Sequence, residues 1–197
     1  MKMKTLTTGA LAFATLMIGL ISCKKNDSDN SKPPVSKTDS LTVSFDTKNG
    51  HYSLFSFKDG TVVPISDSAS TKWDFGIRYI NIIVNSHASG PGNAGVITVN
   101  GFYESFKQAF NTGYAYDTTS TQPAINASLN NGWYDYNPMT HAFTPKAGQF
   151  FVFQTADYKY VKMEMLSADY LPFSGPKPEF VKYKFRYTYQ ADGSVNL

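Results

Sequence analysis

The last strongly patterned stretch of the chain places side chains on two faces in strict alternation. Val181, Tyr183, Phe185, Tyr187 and Tyr189 are separated by Lys182, Lys184, Arg186 and Thr188. A two-residue period is the spacing of a strand with one face in a core and the other in water. Rings and β-branched groups suit that pleated surface. The same period recurs upstream. Leu41, Val43 and Phe45 alternate with Thr42 and Ser44, and Trp73, Phe75, Ile77 and Tyr79 alternate with Asp74, Gly76 and Arg78. Turn residues punctuate these runs at Lys48-Asn49-Gly50, at Asp59-Gly60 and at Ser89-Gly90-Pro91-Gly92-Asn93, which are hairpin and loop signals.

Further strands are expected at Tyr52 to Phe57, Ala94 to Val99, Trp133 to Tyr136, Phe150 to Thr155 and Lys159 to Leu166. Ile80 to Val84 reads as a continuation of the Trp73 strand. Between Phe102 and Asn131 the periodicity fades into Thr, Ser, Asn and Gly, and one helical turn is expected near Glu104 to Phe110. No segment sustains a helical period. The fold class is therefore all-β, mostly antiparallel, as a sandwich or a half-open barrel in a single domain.

The amino terminus carries a different signal. Lys2 and Lys4 precede an apolar run from Leu6 to Leu20, and Leu20-Ile21-Ser22-Cys23 ends it on a small residue followed by the chain's single cysteine. This has the layout of a lipoprotein signal peptide spanning residues 1–22, with Cys23 as the lipid attachment. The apolar run is too short for a stable span, so one lipid anchor in the outer membrane is expected, on its periplasmic or cell-surface side. Acylation would consume the only thiol, leaving none for a disulfide or a thiolate site. Residues 23–39 are polar and contain Pro33-Pro34, so they read as a disordered tether. The β domain is expected over residues 40–197.

Charge excludes one class of partner. Loss of Lys2 and Lys4 with the leader lowers the formal charge from +3 to +1, and the remaining Lys and Arg are interspersed with acids. A nucleic-acid-binding face would need a concentration of basic residues. Catalysis finds no support either. There is no Gly-x-Ser-x-Gly elbow, no His-Glu-x-x-His pair and no phosphate-binding glycine loop. Asp135, Asp157 and Glu164 are the acids that a paired-carboxylate mechanism would draw on, and their contexts are turns and solvent faces. The expectation is a binding protein and not an enzyme.

Several motifs, taken in order, resemble the HmuY-like family of surface lipoproteins. They are Thr71-Lys72-Trp73-Asp74-Phe75-Gly76-Ile77-Arg78, then Asn85 with Ser89-Gly90-Pro91-Gly92-Asn93-Ala94-Gly95-Val96, then Gly132-Trp133-Tyr134-Asp135-Tyr136-Asn137-Pro138, then Thr155-Ala156-Asp157-Tyr158-Lys159-Tyr160-Val161-Lys162, and the aromatic last strand. The resemblance implies an all-β, lipid-anchored, hemophore-like protein of the outer membrane. It further implies haem or another porphyrin as cofactor or cargo, iron acquisition, and an outer-membrane receptor as partner. Haem-binding members of that family use paired histidines or paired methionines. The stretch matching the first ligand, residues 111–131, contains neither His nor Met, and the second ligand position matches Asn137 or Pro138.

Met139 and His141 follow within four residues of Asn137, and these two are the candidate haem ligands, since thioether and imidazole are the usual axial donors. Met163 and Met165 share a strand face with Val161 and read as core. His51 and His87 read as exposed loop-end residues. The alternative function is a non-enzymatic surface lipoprotein without haem affinity, acting as an adaptor in an outer-membrane transport or adhesion complex.

Overall fold

A computed structural model describes residues 32–46, 48, 50–129, 131–171 and 178–197. The leader, Cys23 and Asn49 of the first expected turn lie outside the described residues. Among the described residues eleven strands follow in chain order. They are β1 (Val35–Ser44), β2 (Ser53–Ser56), β3 (Thr61–Val63), β4 (Phe75–Arg78), β5 (Asn81–Val84) and β6 (Gly95–Asn100), then β7 (Tyr134–Asn137), β8 (Ala142–Pro145), β9 (Gln149–Gln154), β10 (Tyr160–Tyr170) and β11 (Phe180–Gln190). A five-stranded sheet has the order β1-β11-β10-β9-β6, a four-stranded sheet the order β3-β2-β4-β5, and β7 and β8 form a separate hairpin. Every strand pairing is antiparallel.

The two larger sheets face each other through aromatic rings. Phe55 and Phe75 of the four-stranded sheet meet Phe185 at ring-centroid distances of 5.1 and 5.7 Å, and Phe57 meets Phe153 at 5.1 Å. The inward residues of β11, Val181 through Tyr189 at every second position, are all buried in this core, as are Val161, Met163 and Met165 of β10. Of the two architectures open from the sequence, the sheets form the sandwich. Truncating any one of these core rings to alanine would cost about 3–5 kcal/mol, the usual penalty of transfer plus cavity.

Three elements depart from the sequence reading. First, β1 begins at Val35, inside the segment 23–39 expected to be a tether. Its residues pair with β11 from Val35↔Tyr189 onward, so backbone hydrogen bonds and a Ser36–Thr188 hydroxyl contact of 2.9 Å order a stretch that buries little apolar surface. Second, Ile80 to Val84 does not prolong the Trp73 strand. The chain reverses at Tyr79, whose φ is +53°, and β5 returns beside β4 with Arg78 opposite Asn81. A tyrosine in the left-handed region is a turn no composition rule anticipates.

Third, the irregular stretch after β6 is a covering layer. Instead of a helical turn over Glu104 to Phe110 there is a 3-10 turn at Tyr103–Ser105. The segment lays Tyr103, Phe106, Ala109 and Tyr114 over Phe150 and Val152 on the outer face of the five-stranded sheet, as a second core. This is why β9 is buried on both faces.

Candidate functional site

Met139 and His141 sit in the turn of the β7–β8 hairpin. Asn137 builds that turn: its side-chain oxygen accepts from the backbone N–H of Met139 at 2.9 Å and of Thr140 at 3.4 Å. Asn137, one of the two residues matched to the expected second ligand position, is thus a turn-forming amide. His141 is exposed with φ of +55°. Its Nδ1 lies 2.9 Å from the Tyr136 hydroxyl, and its carbonyl accepts from the Tyr170 hydroxyl at 2.8 Å. When Nδ1–H donates to Tyr136, Nε2 keeps the lone pair that a metal requires. Met139 is 88% exposed.

A haem needs axial donors and also apolar walls. The hairpin offers an oriented imidazole, a thioether and the half-exposed ring of Tyr136, but none of the clefts described below is lined by Met139 or His141. The donors fit the iron, and the surroundings fit only an open, solvent-facing attachment. Among the described residues no group of three or more His, Cys, Asp and Glu is placed to hold a metal ion. His51 and His87 are exposed, with the His87 ring 5.4 Å from that of Tyr116. Met163 and Met165 are core.

Two polar members of the sequence motifs, Asp74 and Asn85, turn out to be internal pins. Asp74 is buried, and its two carboxylate oxygens accept from the backbone N–H groups of Phe57 at 2.8 Å and Ala156 at 3.0 Å. It therefore ties the β2–β3 turn to the β9–β10 turn, on opposite sheets. Burial outweighs these two hydrogen bonds and pushes its pKa up to about 7. Asn85 donates to the Ser70 and Trp73 carbonyls and accepts from Gly92 N–H at 2.9 Å. A Cβ on Gly90 would collide with the Asn85 side chain, so the glycine loop follows from that contact. Asp117 is buried, accepting from Val84 and Ala124 at 2.9 and 2.7 Å.

Of the acids considered for catalysis, Glu164 is held by Arg186 and Asp157 accepts from the Thr155 hydroxyl. Asp135 is exposed on β7.

Two of the clefts have a lining with more basic than acidic residues. One, of about 470 Å³, lies on the outer face beside the covering layer and includes Tyr103, Glu104, Lys107, Lys162 and Arg186. Its charges are largely satisfied within the protein. Arg186 binds Glu104 and Glu164 and lies 4.3 Å above the Tyr103 ring, and Lys162 donates to the carbonyls of Tyr103 and Phe106. Burial and the neighbouring cations lower the Lys162 pKa. The other cleft, of about 360 Å³, opens at one end of the sandwich over Phe57, Tyr187 and Tyr189, with Lys37, Lys58 and Lys159 around it. Neither was foreseen from the sequence. Lys37 fell in the expected tether, and its place in the alternation Val35, Lys37, Asp39, Leu41, Val43 was the signal that could have put it on the inner face of a strand.

Compared by sequence, the chain matches no family model and no curated protein. Among solved structures it is similar to the apo HmuY analog of Tannerella forsythia, at 14% identity with a TM-score of 0.47, covering 82% of this chain and 99% of that one. It is also similar to a Bacteroides vulgatus protein that bears the name HmuY-like heme-binding protein, at 15% identity and a TM-score of 0.45, covering 75% and 90% of the two chains. A third is apo PinO of Porphyromonas gingivitis, at 14% identity and 0.42, covering 80% and 99%. HmuY-like proteins, to which the motifs pointed, are thus found among its structural neighbours. The question of ligand rests on this chain's own residues.

Proposed function

We propose that this chain is a lipid-held binding protein of the outer membrane, HmuY-like in build and without catalytic activity, that meets haem or a related porphyrin at the β7–β8 hairpin. Cys23 carries the anchor and His141 supplies the axial nitrogen, with Met139 beside it. The observation that carries the reading is the contact of 2.9 Å between the Tyr136 hydroxyl and His141 Nδ1, which orients an exposed imidazole. Its cargo would pass to an outer-membrane receptor for iron acquisition.

The test is a Soret titration of the full chain in lipid nanodiscs against haemin, with empty nanodiscs as the blank. A saturable shift that weakens at least about tenfold, or about 1.4 kcal/mol, in His141→Ala, and less in Met139→Ala, supports the reading. A shift no larger than the blank in both oxidised and reduced states overturns it. A specific observation favours that second outcome: the hairpin has donors without enclosing walls, and residues 111–131 provide no opposing ligand. The function would then be that of an adaptor in a surface complex.

A further inference from the structure

The cleft at the open end of the sandwich has a chemistry of its own, separate from the hairpin. Its floor is formed by the rings of Phe57, Tyr187 and Tyr189, all buried, and its rim by Lys37, Lys58 and Lys159. Tyr187 is 1% exposed, yet its hydroxyl has no hydrogen-bond partner among the described residues. Such an orphan is uncommon, because a buried hydroxyl without a partner forfeits about 1–3 kcal/mol.

Its near neighbour is another donor. Above Gly60, whose φ is +66°, an added Cβ would come within 2.9 Å of Lys37 Nζ and 3.0 Å of Tyr187 Oη. An ammonium and a phenol therefore converge over one glycine, and none of the three lysines forms an ion pair among the described residues. What the pair lacks is an acceptor.

We propose that this cleft binds a small aromatic carboxylate, with the acid group accepting from Lys37 Nζ and Tyr187 Oη and its flat body lying over the Phe57, Tyr187 and Tyr189 rings. The volume of about 360 Å³ lies at the small end of the range for ligand pockets and admits a single ring or a fused pair. Acids are close as well. Asp157 lines the rim, and Asp39 and Asp59 act on the Tyr187 and Tyr189 hydroxyls. Each of them already accepts a hydrogen bond, Asp157 from Thr155, Asp59 from Ser56 and Asp39 from the Ser40 N–H. That balance selects a monoanion over a polyanion.

The probe is 2-naphthoate, titrated calorimetrically into the full chain in nanodiscs, with 2-naphthylmethanol as the neutral isostere and empty nanodiscs as blank. Saturable naphthoate binding at least about tenfold tighter than the alcohol is expected. Lys37→Met, which keeps the stem, and Tyr187→Phe, which keeps the ring, should each weaken naphthoate about fivefold or more and leave the alcohol unchanged. Neither variant should melt below the parent, Tyr187→Phe melting higher because its unpartnered buried hydroxyl is gone, and His141→Ala should not alter naphthoate affinity. Equal binding of acid and alcohol, no saturation above the blank, or full affinity in folded Lys37→Met and Tyr187→Phe overturns the proposal.

Discussion

The two basic clefts share strand β11, with Lys37 and Tyr187 lining both, and part company in how their polar groups are employed. On the outer face, Arg186 and Lys162 are engaged by Glu104, Glu164 and two backbone carbonyls, so the basic groups there fasten the covering layer to the sheet. At the open end, Lys37 and Tyr187 converge with no acceptor between them. Both clefts are basic by composition. The difference teaches that basic groups whose hydrogen bonds are made inside the protein act as a structural lock, while those with no internal partner stay open to an outside acceptor.

The strongest way to break this contrast acts on the pin beneath the open end. Asp74→Ala removes the acceptor for Phe57 and Ala156 N–H. Chemical denaturation should show a loss of about 3 kcal/mol, since two buried donors are left unmet, together with loss of naphthoate binding as the two turns separate. The same carboxyl sets a pH dependence. Its folded pKa, about 7, lies above the ordinary aspartate value of 3.8, so between these values the folded state holds a proton that the unfolded chain has released. Stability from this group is complete below about pH 4 and declines as pH rises toward 7. In Asp74→Asn that slope should vanish from denaturation midpoints measured over pH 4 to 7.5.

Next in size, Lys162→Met would orphan two carbonyls and cost about 2 kcal/mol without touching naphthoate affinity. An effect on affinity would merge the two clefts and end the distinction. Arg186→Gln should cost about 1 kcal/mol, because one of its partners, Glu104, is mostly solvent-exposed and screened. Tyr187→Phe acts in the opposite sense. It removes a buried hydroxyl that has no partner among the described residues, so denaturation should show a gain of about 1 kcal/mol in stability while ligand affinity falls.

Much of the scaffold was legible before any coordinates. The last strand, the Asp59-Gly60 hairpin and the core methionines Met163 and Met165 follow from a period of two and from turn chemistry, which are properties of neighbours in sequence. The reversal at Tyr79 was not legible, because its turn conformation is imposed by packing. Tyr79 N–H reaches the Ser44 carbonyl, and its own carbonyl receives the Tyr183 hydroxyl. The candidate and proposed site residues divide in the same way. Met139 and His141 could be named from their residue types and the motif beside them, whereas Lys37 and Tyr187 looked like a tether lysine and a strand tyrosine.

By itself, the order of residues determined an antiparallel, aromatic-cored β protein, because alternation and turn propensity act over a few residues. It also set how few imidazoles and thioethers the chain has to offer. Only the tertiary structure decided that Asp74 and Ala156, 82 positions apart, share a hydrogen bond, that the loop after β6 roofs a sheet, and that a lysine and a tyrosine meet over Gly60. Those outcomes depend on which strands pair across the sandwich, a long-range choice made by the packing of whole faces.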